Sequence, residues 1–270
     1  MQAEDAELPR REGEATVLGG PTAVIDLGGL RLVVDPTFDD PGPHGYLTKT
    51  LGPAVPEHRL GPVDVVLVSH DAHPDNLDER GRAFATAAPL TLTVPGAAGR
   101  LGGRAVGLAP WTALPVPRQD GGGDLTVLAV PAVHGPEDGE RDPEGHVNCE
   151  VTGFVLSGEG LPAVYVSGDN ASMRAVAEIA RRVPRLDAAV LNAGAARVPG
   201  KFRQRPVSMD ARRVAAAAAV LGVAVVVPAH YDGWTHFSEG RAELETAFDE
   251  AGLSALLRAP EHGAWSPLRP

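Results

Sequence analysis

Residues 65–76 read Val-Val-Leu-Val-Ser-His-Asp-Ala-His-Pro-Asp-Asn. The four leading apolar residues predict a short buried strand. Two imidazoles and two carboxylates follow within six positions, and they belong to His70, Asp71, His73 and Asp75. Imidazole nitrogen and carboxylate oxygen are ligands of zinc, manganese and iron, so the pattern is typical of a metal site at a strand end. A polar loop in which Asp75 or Asp78 caps the next helix explains the same residues.

The composition fits one large domain or two small ones, since 43% of the 270 residues are hydrophobic. The net charge of −11 argues against partners that attract basic proteins, namely nucleic acid and anionic membrane surfaces. Cys149 is the single cysteine, so no intramolecular disulfide can form. No apolar run reaches the roughly 20 residues of a membrane helix. The first residues lack the apolar core of a signal peptide, so we expect a cytoplasmic protein.

The two halves of the chain repeat one plan. Residues 22–35 predict a hairpin around Gly28-Gly29, and residues 152–169 predict a second hairpin that also ends on an aspartate. Similar apolar strands follow at 63–67 and 186–191. We infer an α+β fold with an internal pseudo-two-fold, in which two sheets pack face to face with helices outside as a four-layer αββα sandwich. A doubly wound sheet would contain the same mixture of elements.

The remaining boundaries follow from turn and cap signals. We predict a flexible tail over residues 1–14 and a single domain over residues 15–270. Residues 77–88 predict a helix with Asp75 or Asn76 as its N-cap. Two segments, 38–62 and 135–150, predict long loops that determine specificity.

Ligand-type residues follow four predicted strands. These residues are His70, His73 and Asp75 after one strand, and His134, Asp169 and His230 after three others. Ligands gather at the carboxyl ends of strands in open sheets, so we predict that the six side chains converge. Each also has a structural explanation: His134 could bond to backbone, Asp169 could form an Asx-turn and His230 could cap a helix. Independent structural roles explain poorly why four strand ends, including the one that carries His70, His73 and Asp75, all have ligand-type residues.

The ordered motifs resemble those of the metallo-β-lactamase-fold hydrolases, and within them the lactonase-like branch related to bacterial L-ascorbate-6-phosphate lactonase. Residues 29–36 are similar to the family's second strand, and residues 69–75 are similar to its His-x-His-x-Asp-His motif. Its third histidine, bridging aspartate and final histidine correspond to His134, Asp169 and His230. The resemblance extends from about residue 17 to about residue 240.

The first motif departs from the family pattern at two positions. Ala72 stands two residues after His70, and Asn76 replaces the histidine that ends the motif. Relatives of this branch read His-Asp-His-His-x-Asp-Asn, so Ala72 is a further difference. Because asparagine is a weaker ligand than imidazole, the resemblance implies one or two bound divalent ions. Zinc is the expected ion, and manganese or iron suits oxygen-rich ligation.

The resemblance also implies how the ligands divide. His70 or His73 would hold one ion together with His134. Asp75 and His230 would hold the other, and Asp169 would lie between the two ions.

These assignments predict a hydrolase that uses a metal-activated water on a small-molecule lactone, ester, amide or phosphoester. We expect Asp75 or Asp169 to hold the water and take its proton. His236 would bind a substrate oxyanion or act as an acid, and the predicted substrate contacts are Asn76, Trp234 and His236. A core position for Trp234 is the alternative.

Further roles were assigned to polar residues outside the ligand set. Asp71 and Asp232 are predicted to orient the metal histidines as hydrogen-bond acceptors. Lys49 and Arg203 lie in predicted loops and could meet a phosphate or carboxylate.

Two other functions fit the same residues. An iron-dependent oxidoreductase on this scaffold would bind iron firmly and hydrolyse nothing. A degenerate, non-catalytic binding protein, which Ala72 and Asn76 allow, would hold no stoichiometric metal. No Gly-x-Ser-x-Gly motif indicates a serine hydrolase, and no Gly-x-Gly-x-x-Gly after a strand indicates a dinucleotide site. The expected partner is a small-molecule substrate, and homo-oligomers occur among the lactonase-like relatives.

Overall fold

Two large β-sheets, a two-stranded β-hairpin and five α-helices make up the fold in the computed structural model, which describes residues 6–269. In chain order the strands and helices are β1 (Glu14–Gly19), β2 (Thr22–Leu27), β3 (Leu30–Val34), β4 (Gly42–His44), β5 (Leu47–Lys49), β6 (Val65–Leu67), α1 (Glu79–Ala87), β7 (Thr91–Thr93), α2 (Pro95–Leu101), β8 (Ala105–Gly107), β9 (Ala113–Pro117), β10 (Asp124–Pro131), β11 (Thr152–Ser157), β12 (Val164–Val166), α3 (Met173–Arg182), β13 (Ala188–Asn192), α4 (Ala211–Leu221), β14 (Val225–Ala229), α5 (Arg241–Glu250) and β15 (Trp265–Pro267). Within the described residues, no helix has the length and apolar character needed to cross a membrane.

The two sheets have matching strand orders. One runs β15-β1-β2-β3-β6-β7-β8 and the other runs β14-β13-β12-β11-β10-β9. In the first, β1, β2 and β3 pair antiparallel, and β6 and β7 then continue parallel to β3. In the second, β10, β11 and β12 pair antiparallel, and β13 and β14 continue parallel. This correspondence confirms the predicted pseudo-two-fold.

Helices cover the outer face of each sheet. The largest apolar cluster lies between the sheets and combines Leu32 and Leu67 of one with Phe154 and Val190 of the other. A second cluster packs α3, α4 and α5 on the outer face of the second sheet. A third packs α1 and α2 on the outer face of the first. The molecule therefore has the predicted αββα layers.

The turn between β2 and β3 follows directly from sequence. Leu27 pairs with Leu30, so Gly28 and Gly29 form a two-residue loop, and their φ angles are +67° and +75°. Two consecutive positive φ angles define the type I′ turn that suits the twist of a hairpin. The predicted Gly-Gly hairpin is therefore present.

The predicted helix over residues 77–88 begins later than expected. It spans Glu79–Ala87, and its N-cap is Asp78, whose side chain accepts from the backbone N–H of Gly81. Asp78 was one of the caps that the loop interpretation of residues 65–76 named, and this cap is confirmed. The other two proposed caps, Asp75 and Asn76, lie too early because the chain first turns back to the His73 carbonyl. Asp75 is thereby freed for the site described below.

The predicted loop over residues 38–62 is in part regular, because β4 and β5 form a hairpin within it. Asp78 anchors this segment. Its carboxylate accepts from the backbone N–H groups of Phe38 and Asp39 at 3.0 and 2.8 Å and from Lys49 Nζ at 3.0 Å. Lys49 and Asp78 are both buried, so the hairpin is joined to the start of α1 by a buried ion pair.

The predicted tail over residues 1–14 requires correction for its second part. Residues 1–5 lie outside the described residues, but Leu8 is buried and its N–H donates to the carbonyl of Arg59. The Arg31 guanidinium accounts for this order. It is 1% exposed, it pairs with Asp26 at 2.7 Å, and it donates to the carbonyl oxygens of Leu8 and Pro9. The proposed domain boundaries remain a prediction.

Replacing Arg31 by methionine should strongly destabilise the protein, because the buried carboxylate of Asp26 would lose its cation. We expect the free energy of unfolding to fall by about 3–5 kcal/mol, the usual loss for half of a buried pair. Arg10→Met is the control, since that half-exposed arginine forms a surface pair with Asp64 that should contribute less than about 1 kcal/mol. Denaturant unfolding of both variants at equal metal load measures this, and equal losses would contradict the special role of Arg31.

Candidate metal centre

The structure brings the six predicted ligands to one end of the two sheets. They are His70, His73 and Asp75 after β6, His134 after β10, Asp169 after β12 and His230 after β14. They form two groups, in each of which the potential ligand atoms lie within 4.8 Å of one another. The imidazole group contains His70, His73 and His134 and also includes Cys149; the carboxylate group contains Asp75, Asp169 and His230.

Hydrogen bonds determine which imidazole nitrogens of the imidazole group carry lone pairs. His134 Nδ1 donates to the carbonyl oxygen of Val207 at 2.8 Å, so His134 Nε2 has no proton. Ser69 Oγ donates its proton to the buried carboxylate of Asp35, so it accepts a hydrogen bond from His70 Nδ1 at 3.0 Å. Because the proton of the neutral His70 ring is then on Nδ1, His70 Nε2 has a lone pair and no proton. Both Nε2 atoms face His73 Nδ1, at 3.2 Å from His134 and 2.8 Å from His70. Three nitrogens thus share at most one proton, an arrangement that a cation would satisfy.

The carboxylate group contains several buried atoms without partners. His230 Nδ1 donates to Asp169 Oδ1 at 2.8 Å, and His230 Nε2 lies 3.4 Å from Asp75 Oδ2. In the described part of the chain, no hydrogen-bond partner satisfies His230 Nε2, Asp75 Oδ1 or Asp169 Oδ2. Unpaired buried polar atoms destabilise a fold by about 1–3 kcal/mol each. A divalent ion that bound all three atoms would remove this penalty, so the residues fit a metal.

The electrostatics of the two groups differ. Burial holds the pKa of His70 well below its usual value, and burial beside a second imidazole lowers the pKa of His73 to about 4. Both imidazoles are therefore neutral at pH 7, as metal ligation requires. Burial opposes a charge on His230, but Asp169 and Asp75 raise its pKa to about 10. The proton on His230 balances two carboxylates, and a bound cation would take its place.

Two glycines allow the strand ends to approach each other. Gly168 has a φ of +52°, and a Cβ there would lie 2.6 Å from the Cβ of Ser69. A Cβ on Gly194 would lie 2.4 Å from the carbonyl oxygen of His230. His230 itself has a φ of +56°, a strained conformation for a residue with a side chain, and such strain is common at functional sites.

Asp35 supports the imidazole group from behind and was not among the predicted site residues. Its carboxylate accepts from the N–H of Ser69 at 2.6 Å and from Ser69 Oγ at 2.8 Å, and that hydroxyl in turn orients His70. Burial, partly offset by the bonds from Ser69, raises the pKa of Asp35 to about 7. The signal was present in the sequence, because Asp35 ends the first hairpin as Asp169 ends the second.

The two carboxylates that were predicted to orient metal histidines have other partners. Asp71 Oδ2 accepts from Arg100 Nε at 3.0 Å and also pairs with Arg82. Asp232 pairs with His262 Nε2 at 3.1 Å. The histidines of the imidazole group are oriented instead by a serine hydroxyl and a backbone carbonyl. Asp71 follows His70 in the sequence, and Asp232 lies two residues after His230. Both aspartates nevertheless bind partners outside the ligand set.

Two predicted substrate contacts lie behind the pocket rather than in its wall. Asn76 is fully buried, and its amide donates to Asp35 at 3.4 Å. Trp234 is 4% exposed and forms a β-bridge with Lys49, so it occupies the core position that was the alternative. Lys49, the suggested anion contact, is held in its buried ion pair. The structure corrects all three assignments.

A pocket opens over both groups and is lined by His73, Asp75, His134 and His236, among others. His236 Nε2 lies 3.0 Å from Asp75 Oδ2 and its Nδ1 has no partner among residues 6–269. Of the three predicted substrate contacts, His236 alone belongs to this lining.

Several residues at the pocket were not predicted. Tyr46, at the tip of the β4–β5 hairpin, lines the pocket and is 58% exposed. Asn148 lies 3.4 Å from His73 Nε2 and accepts from Lys201 Nζ at 3.2 Å. Cys149 follows Asn148. These residues lie in loops without periodicity, where only the length of the loops indicated a function.

Comparison with known proteins agrees with this geometry. The Beta-lactamase superfamily domain matches residues 30–231. A protein from Methanosphaerula palustris named as a metal-dependent hydrolase is 28% identical over 143 residues, which cover 52% of this chain and 59% of that protein.

Two solved structures share the fold. An isothiocyanate hydrolase from Delia radicum gut bacteria has a TM-score of 0.77 at 21% identity and covers 94% of this chain and 98% of its own. CmlA, a diiron β-hydroxylase from Streptomyces venezuelae, has a TM-score of 0.63 at 15% identity and covers 97% of this chain and 55% of its own. Because the domain match extends over most of the chain and ends just past the last predicted ligand, this protein belongs to the beta-lactamase superfamily, with the metallo-β-lactamase fold that its motifs indicate.

Proposed function

We propose that this protein is a metal-dependent hydrolase that acts on a small-molecule lactone, ester, amide or phosphoester. The observation that carries this proposal is the convergence of neutral imidazoles and buried carboxylates, several with unsatisfied ligand atoms, beneath one open pocket. The names of the relatives support hydrolysis, and the diiron β-hydroxylase shows that the fold also carries oxidation. The lactonase-like branch remains a prediction.

The ligand set supports zinc as the first ion. Nitrogen-rich coordination is typical of zinc, whereas the two carboxylates of the second group also suit manganese or iron. When bound, a divalent ion supplies positive charge at the pocket floor and lowers the pKa of a coordinated water from about 15.7 toward 7.

Asp75 and Asp169 are the proposed holders of the attacking water. Asp75 lines the pocket, and one oxygen of each carboxylate has no partner within residues 6–269. Burial opposes ionisation of Asp75, but His230 and His236 beside it hold the pKa of this carboxyl well below its usual value. Asp75 is therefore a carboxylate at pH 7, and the Oδ1 lone pair that the ion leaves free can accept a hydrogen bond from a water.

We assign His236 the transfer of a proton to the leaving group. Its Nε2–H donates to Asp75, and the unpartnered Nδ1 belongs to a side chain that lines the pocket. In this proposal Nδ1 first takes the proton released by the attacking water and then gives it to the leaving group. At the mouth, Tyr46 offers a ring face, and the ammonium of Lys201 lies beside Asn148. These groups favour a small substrate with an apolar part and a polar or anionic part.

The metal requirement should depend on His134. His134→Ala removes one nitrogen of the imidazole group, so we expect loss of stoichiometric metal and of hydrolysis together. His146→Ala is the matched control, because that histidine pairs with Asp142 on the loop that follows His134. Metal analysis and a panel containing a lactone, an ester, an amide, a phosphodiester and an isothiocyanate measure both effects.

The outcomes of that experiment separate the candidate functions. Full turnover by His134→Ala without metal would contradict the proposal. Tightly bound iron with oxygen consumption and no hydrolysis would indicate the oxidoreductase instead. Absence of stoichiometric metal from the unmodified protein would indicate a non-catalytic binding protein.

Replacing His236 by glutamine should lower kcat by about 100-fold or more, because general acid catalysis contributes about that amount. Glutamine can still donate to Asp75, so metal content should not change. His58→Gln is the control, since His58 is exposed on a surface turn. Steady-state kinetics with metal analysis test this role, and unchanged kcat in His236→Gln would exclude it.

A further inference from the structure

Cys149 reaches the imidazole group through a loop fixed on both sides. The loop between β10 and β11 returns to the sheet with Val147 and Val151 buried. Glu150 accepts from the N–H of Gly96 in the first turn of α2 at 3.0 Å, and Asn148 contacts His73. Cys149, between these two anchors, is therefore held in place.

The position of the thiol completes the imidazole group. Its Sγ lies within 4.8 Å of one nitrogen each of His70, His73 and His134. Asp169, which the family resemblance placed between two ions, belongs to the carboxylate group instead and gives one oxygen to His230. Within the described residues, the fourth ligand atom that this cluster brings together with the three imidazole nitrogens is thus a sulfur.

A second observation points to a cation at this place. The other oxygen of Asp169 is buried without a partner in the described chain and lies 3.8 Å from the ring of His134. An unpartnered carboxylate oxygen therefore borders the imidazole group, and its negative charge, like the Nε2 lone pairs of His70 and His134, favours a cation there.

We propose that Cys149 is a ligand, and that the protein binds its first metal ion through three imidazole nitrogens and one thiolate sulfur. This inference rests on the proposed function, since it concerns the same centre. On binding, the S–H bond of Cys149 breaks, a sulfur–metal bond forms and the proton leaves to solvent. Thiolate is a soft ligand that prefers zinc or cobalt to manganese or magnesium.

The proposal makes the two metal positions unlike. One would have nitrogen and sulfur ligands, and the other would have Asp75, Asp169 and His230.

X-ray absorption spectroscopy of the full chain with one equivalent of Zn²⁺ tests the proposal in a buffer free of thiols. We expect one sulfur scatterer at about 2.3 Å beside nitrogen scatterers at about 2.0–2.1 Å. Cys149→Ser should lose the sulfur signal, which also excludes a methionine as its source. With Co²⁺, the unmodified protein should show a near-ultraviolet thiolate-to-cobalt band that Cys149→Ser lacks.

Affinity gives an independent measurement. Cys149→Ser should bind Zn²⁺ at least about 10-fold more weakly, since loss even of a side chain that only supports a ligand has that effect. Cys149→Asp should shift the preference from Zn²⁺ toward Mn²⁺. The spectrum of the unmodified protein tests ligation even where a variant fails to fold.

The outcomes distinguish this proposal from the proposed function. Bound zinc with nitrogen and oxygen scatterers alone, together with hydrolysis, would overturn ligation by Cys149 and leave the hydrolase intact. A sulfur scatterer without hydrolysis of any panel substrate would support ligation and overturn the hydrolase. Failure to bind any of Zn²⁺, Co²⁺, Mn²⁺ and Fe²⁺ would overturn both.

Discussion

The site depends on a shortage of protons among buried nitrogens. Two histidines donate their Nδ1 protons away from the centre, and their Nε2 lone pairs face a third imidazole. While the three rings are neutral, hydrogen bonds among them cannot satisfy all of these atoms, whereas one cation can. The carboxylate group has the same deficiency, with unpaired oxygens and an unpaired nitrogen. Much of the surrounding structure holds these groups together at the floor of the pocket.

The pseudo-two-fold explains how the fold produces such a place. Each sheet contributes a hairpin that ends in an aspartate followed by parallel strands, so polar residues from both halves meet at one end. The two equivalent aspartates have diverged. Asp169 faces His230 as a candidate ligand, while Asp35 lies one layer back and orients His70 through Ser69. The same position in the repeat is thus a candidate ligand in one half and a support for His70 in the other.

Sequence alone predicted the layers, the repeat and all six candidate ligands, because each of these leaves a local pattern. A buried strand that ends in histidine or aspartate is visible in any single segment, as at His134 and His230. Side-chain direction leaves no such pattern. Asp71 is adjacent to a ligand in the chain yet faces Arg100, and Trp234 is near His236 yet lies in the core. Cys149 was visible only as a lone cysteine, since its approach to the imidazoles depends on the path of a loop without periodicity.

The Asp78 carboxylate has a consequence for how a substrate enters. It binds the start of α1, the backbone after β3 and the ammonium of Lys49 on the hairpin that carries Tyr46. Lifting the hairpin as a flap would leave this carboxylate buried without its cation, which costs about 3–5 kcal/mol. Tyr46, at the exposed tip of this hairpin, is therefore a lining side chain that can change rotamer while the backbone beneath it stays in place. The width of the mouth would then depend on the size and rotamer of the side chain at position 46 more than on movement of the hairpin.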